Sequence, residues 1–74
     1  MLAIKLYALK CEEGYIRYSL PGGSKCVGLS QATVCASPDD LRLVEAFDSA
    51  VRSAVTDLRL VELSLVENDY YARL

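Results

Sequence analysis

The chain of 74 residues contains no histidine and no tryptophan, a single phenylalanine and a single methionine. Without imidazole there is no serine or cysteine triad of the usual kind, no histidine-ligated zinc or iron, and no side chain that titrates unperturbed near neutral pH. Cysteine is sparse and odd in number: Cys11, Cys26 and Cys35 stand 15 and 9 residues apart with no C-x-x-C pair. Three scattered thiols cannot complete a tetrahedral metal site within one chain, and a secreted disulfide scaffold normally carries an even set. A reducing compartment, the cytoplasm, is the expectation, with the cysteines structural and no cofactor. The chain also lacks any run approaching the roughly 20 apolar residues that cross a bilayer, and Lys5 and Lys10 interrupt the first apolar stretch where a signal peptide would be continuous. No membrane association is expected.

Net charge is small, 8 basic against 10 acidic residues giving −2. That balance neither recruits nor forbids nucleic acid, and the basic residues are too few around the aromatic rings for a single-strand platform. The distribution is uneven. Residues 1–36 carry Lys5, Lys10, Arg17 and Lys25 against Glu12 and Glu13, whereas residues 37–74 carry four arginines against eight acids. The first half is the better place for an anionic ligand.

Hydrophobic residues make up 53% of the chain, more than a domain this small can readily enclose. A short chain buries only a little over half of its unfolded surface, so part of the apolar material is expected to meet another chain in a homo-oligomer, the alternative being a monomer whose sheet face is fully covered.

Periodicity supplies the architecture. Leu2, Ile4, Leu6 and Ala8 alternate with Ala3, Lys5, Tyr7 and Leu9, and after the Cys11-Glu12-Glu13-Gly14 turn Ile16, Tyr18 and Leu20 alternate with Tyr15, Arg17 and Ser19. These segments predict an antiparallel hairpin. Leu20-Pro21-Gly22-Gly23-Ser24-Lys25 is a strong turn, followed over 26–35 by an extended piece whose alternation Gly28, Ser30 and Gln31 spoil. Ser37-Pro38-Asp39-Asp40 reads as a helix cap, and Leu41, Val44, Phe47, Val51, Ala54 and Val55 as the buried stripe of a helix running to about Val55. In a last strand, Arg59, Val61, Leu63, Leu65 and Glu67 are expected to face that helix. The prediction is one α+β domain over 1–74, an antiparallel sheet of three to four strands with one amphipathic helix on one face, in the order β-β-(β)-α-β. Residues 68–74, with Tyr70 and Tyr71, read as a docking tail.

Candidate chemistry is thin. Glu12 and Glu13 are adjacent and cannot face each other across a sugar as glycoside hydrolysis requires, and Asp39 and Asp40 are accounted for by helix capping. No enzyme is expected. Pro21-Gly22-Gly23-Ser24-Lys25 exposes backbone amides beside a lysine, but it does not match the phosphate-binding G-x-x-x-x-G-K-[ST] loop. It is either a plain hairpin turn or, with Arg17 and Tyr15 or Tyr18, the lining of a pocket shared between subunits. Five tyrosines against one phenylalanine suit a surface that is wet alone and covered in a complex. The candidate binding residues are therefore Tyr15, Arg17, Tyr18, Lys25, Tyr70 and Tyr71.

The segment from Ala32 to Leu41, a helix, and then Leu58 to Leu65 resembles a layout frequent in small bacteriophage and prophage accessory proteins: a hairpin, a strand ending near a helix cap, one helix, and a closing strand of alternating aliphatic and polar residues. The resemblance implies a stoichiometric binder acting in the host cytoplasm. Its partner would be a host or anti-phage defence protein whose surface it occludes. The alternatives are a sponge for a small nucleotide signal and a purely structural assembly module.

Overall fold

The computed structural model describes residues 3–20 and 22–67. Five strands form one antiparallel sheet: β1 (Ala3–Cys11), β2 (Gly14–Ser19), β3 (Gly23–Val27), β4 (Val34–Cys35) and β5 (Arg59–Val66), with α1 (Leu41–Arg52) between β4 and β5. The α+β class and the helix-on-sheet arrangement are as expected. The expected docking tail, 68–74, lies outside the described residues.

The strand β1 organises the sheet. One edge pairs with β5 along its length, from Ala3 opposite Val66 to Lys10 opposite Arg59. The other edge is shared by β2, with Lys10 opposite Tyr15, and by β4, with Tyr7 opposite Cys35. Sharing is possible because Thr33 separates the two: its N–H donates to the Ile16 carbonyl at 3.0 Å, and its hydroxyl accepts from the Tyr18 N–H at 2.9 Å. The broken alternation over 26–35 thus resolves into the end of β3, a 3-10 turn at Leu29–Gln31, and β4.

The helix begins three residues later than the sequence suggests. Ser37 Oγ accepts the Asp39 N–H and closes a turn holding Pro38, while Asp40 is the cap, its carboxylate accepting the Arg42 N–H at 2.9 Å. Those bonds from Arg42 hold the Asp40 carboxyl below its ordinary pKa, so the cap is complete at neutral pH and is lost as pH falls into the acid range. At the other end Ala54 adopts a left-handed φ of 57°, and the Val55 N–H turns back to the Ala50 carbonyl at 3.1 Å. The helix stops at Arg52, about 18 Å long.

The buried stripe is also different from the expected one. Leu43, Ala46 and Ala50 are the buried residues of α1, packing on a core that includes Leu9, Cys11, Ile16 and Cys35. Leu41, Val44, Phe47 and Val51 remain substantially exposed. The two alanines let the helix lie close to the sheet, which leaves the larger residues at its margins.

The last strand presents its other face to the helix. Leu60, opposite Leu9, lines a groove of about 280 Å³ with Leu43, Val44 and Phe47, and Leu58 packs on the core. By the two-residue period, Val61, Leu63 and Leu65 therefore point away from α1. The expectation that they face the helix fails because the pairing of Leu60 with Leu9 sets the strand's orientation. Beyond the helix, the first half of β1 and the second half of β5 continue as a two-stranded ribbon. The molecule is accordingly elongated, 47 × 23 × 21 Å.

Candidate cationic sheet face

The helix-free face of the sheet is where the chemistry-bearing residues gather. On β2 and β3, Tyr15 lies opposite Val27 and Arg17 opposite Lys25. On β1 and β5, Lys10 lies opposite Arg59 and, through the hairpin, opposite Tyr15. The Lys10 Nζ sits 5.5 Å from the Tyr15 ring centroid, within cation–π range. Four cations and one ring thus occupy one end of the face.

Two of these cross-strand neighbours are like-charge pairs, Arg17 with Lys25 and Lys10 with Arg59. Such pairs directly opposite one another destabilise a sheet by roughly 0.2–1 kcal/mol each. Of these four cations only Arg59 has a carboxylate in ion-pair range among the described residues, Asp57 at 3.4 Å. Local rules broken without internal compensation concentrate where a surface serves a ligand.

The other end of the same face is apolar. Ile4 opposite Leu65, Leu6 opposite Leu63 and Ala8 opposite Val61 form its rows, and Leu6, Leu29, Val34, Leu63 and Leu65 enclose a shallow depression of about 280 Å³. Ile4 and Leu65 are each more than half exposed.

Of the residues expected to bind, Tyr15, Arg17 and Lys25 are brought together on this face. Tyr18 is not: it lies half-buried on the helix side and packs against the core. Alternation from Tyr15 and Arg17 puts it there, so it leaves the candidate site. Tyr70 and Tyr71 lie outside the described residues. Lys10 and Arg59 were missed, because only the pairing of β1 with β5 shows that they are neighbours. Tyr7 lies on the helix side, where its hydroxyl donates to Glu62 at 3.1 Å while Lys5 pairs with the same carboxylate at 3.5 Å. That hydrogen bond is the main cause that raises the Tyr7 pKa.

No family model, curated protein or solved structure matches this chain. The site must be read from its own residues. Lysine and arginine supply donors and positive charge, and the ring supplies an apolar platform. Among the described residues no group of three ligating side chains is placed to hold a metal ion, and no helix is long and apolar enough to cross a membrane.

A second cluster lies on the helix side. The Sγ atoms of Cys11 and Cys26 are 2.8 Å apart, and both thiols are free, as is that of Cys35. The contact spans β1 to β3 over the start of β2, where Gly14 contributes no side chain. Sharing a hydrogen bond with Cys11 pushes the Cys26 thiol up from 9.0 to about 11, with burial and the Glu13 charge adding to it. Cys26 is exposed yet stays protonated. Its thiolate fraction at pH 8 falls by about 100-fold relative to an ordinary thiol, and the greater basicity of the thiolate returns about tenfold in nucleophilicity. Iodoacetamide should therefore label Cys26 about tenfold more slowly in the folded protein than in urea, as followed by mass spectrometry, and Cys11→Ala should remove most of that difference. Equal rates would contradict the shared hydrogen bond.

Proposed function

We propose that this protein is a non-catalytic binder that occludes a surface of another protein through the helix-free face of its sheet. The observation that carries the reading is the juxtaposition on that face of Lys10, Arg17, Lys25 and Arg59 with the exposed Ile4 and Leu65 and the half-buried Leu6 and Leu63 between them. An aliphatic patch bordered by cations, three of them without a carboxylate in ion-pair range among the described residues, is complementary to a partner surface that carries aliphatic side chains beside carboxylates. The phage-type reading, inhibition of a host or anti-phage defence component, rests on the sequence resemblance and belongs to the same proposal.

Sequestration of a small nucleotide is the second reading. Lys10 already lies over the Tyr15 ring, and Tyr18 is on the opposite side of the sheet, so among the described residues no second ring stands beside Tyr15 to sandwich a base. The depression on this face is lined by aliphatic side chains rather than by the cations. These features favour the protein partner.

Native mass spectrometry of the protein purified from its expression host separates the two. A bare species is the expected result, and extra mass equal to a nucleotide would overturn the protein-partner reading. Lysate proteins retained by the wild-type chain should be released when Arg17 and Lys25 are both replaced by alanine, with the circular dichroism spectrum unchanged. Full retention by that variant would sink the cationic face as the binding surface.

A further inference from the structure

We infer that two copies of this chain join through β5, edge to edge and antiparallel, in the register that places Leu63 opposite Leu63 of the second copy. The strand β5 is eight residues long and pairs on one side only, with β1, among the described residues. A long edge strand normally carries proline, a bulge or outward charge that discourages pairing. Arg59-Leu60-Val61-Glu62-Leu63-Ser64-Leu65-Val66 has no proline and no glycine. Its one central charge, Glu62, is turned to the helix side and engaged by Lys5 and Tyr7. Among the described residues the outer edge is open to another strand.

Charge complementarity selects the occupant and the register. If the two copies are related by a two-fold axis normal to the sheet, residues with the same orientation face each other, and the axis must pass through a residue rather than between two. Centred on Leu63, the pairs are Arg59 with Glu67, Leu60 with Val66, Val61 with Leu65, and Glu62 with Ser64. Two ion pairs close the ends, aliphatic residues fill the middle of the outer face, and a hydroxyl meets each Glu62 carboxylate. Centred on Glu62 instead, the two carboxylates would oppose each other at the axis. Centred on Ser64, Glu67 would face Val61 and Arg59 would extend past its partner. The strand is self-complementary in one register.

The pairing has a consequence for the surface already described. The helix-free faces of the two copies become continuous, with the aliphatic rows of Ile4, Leu6, Leu63 and Leu65 at the centre. The Arg59–Glu67 pairs mark two ends about 27 Å apart along the joined strands, taking eight residues at the standard strand rise. The dimer shares Arg59 with the proposed binding face, whereas Arg17 and Lys25 lie on β2 and β3 away from the β5 edge, so replacing those two tests the partner without touching the dimer contacts.

Charge reversal tests both dimer and register. Sedimentation of the wild-type protein should show a concentration-dependent dimer. Arg59→Glu and Glu67→Arg should each weaken it by about tenfold or more, because each creates two like-charge contacts across the axis. The double variant carrying both substitutions should recover the wild-type dissociation constant to within about threefold. A wild-type chain that stays monomeric at about 100 μM, well above the range expected for a stable dimer, would overturn the inference. So would a dimer indifferent to the single reversals, or one that the double variant fails to restore.

Discussion

Arg17→Glu is expected to make the fold more stable while lowering partner binding by about 100-fold. The two effects come from the same contact. Arg17 lies directly opposite Lys25 on the exposed side of β2 and β3, and a carboxylate there turns a repulsive cross-strand pair into an attractive one. The swing is roughly 0.5–1.5 kcal/mol, at the scale of single cross-strand charge pairs in a solvated sheet. Binding moves the other way, because a cation that meets a partner carboxylate in a desolvated contact contributes about 2–5 kcal/mol when one member is removed. Urea denaturation gives the first quantity as a raised midpoint at constant slope. Retention of the lysate partners that the wild-type chain captures gives the second. A variant that loses stability and binding together would assign Arg17 a structural role. One that gains stability and keeps its partners would move the binding surface elsewhere. The opposed signs distinguish a functional cation from a packing residue without requiring the partner's identity.

The parts of this architecture that were legible in the sequence are those set by neighbours along the chain. The alternation around Cys11 to Gly14 specified the first hairpin, and the proline and glycines after Leu20 specified the turn into β3. The alternation of Tyr15 and Arg17 placed them on one side of a strand and Tyr18 on the other. Tyr18 was nonetheless expected among the binding residues, and the structure places it on the helix side, half-buried against the core. Faces were less legible than strands. Val61, Leu63 and Leu65 form as apolar a row as any core strand, so hydropathy alone assigned them to the helix. The orientation is instead decided by Leu60 meeting Leu9, a pairing between residues about fifty positions apart. In the helix, Leu41, Val44, Phe47 and Val51 outweigh Ala46 and Ala50 on any hydropathy scale. Close packing favours the small residues, and both alanines are buried to within 1%. Lys10 and Arg59 could enter the candidate site only through the β1–β5 register, which no local pattern encodes.

Gly14→Ala is expected to remove most of the stability of the domain. Gly14 opens β2 at φ 153°, a backbone conformation that side-chain-bearing residues rarely adopt, and a Cβ built there would stand 2.6 Å from the Val27 carbonyl oxygen. That oxygen cannot withdraw cheaply, because Val27 is held in the ladder opposite Tyr15. Backbone strain of about 1–3 kcal/mol combines with a steric penalty of about 1–3 kcal/mol. A domain of this length has only about 4–11 kcal/mol to lose. The same substitution would push apart β1 and β3 where Cys11 and Cys26 touch, so the slow alkylation of Cys26 should be lost as well. Gly28 supplies the contrast. Its φ is −70°, and a Cβ there would meet nothing within 4 Å. Gly28→Ala should therefore be neutral or stabilise by up to about 1 kcal/mol, by restricting the unfolded chain. Urea midpoints of the two variants, measured side by side, should move far apart and, if at all, in opposite directions. Similar midpoints would mean that the tight approach of β2 to β3 at Gly14 is not what holds the hairpin, and with it the Tyr15 and Arg17 side of the cationic face, in register.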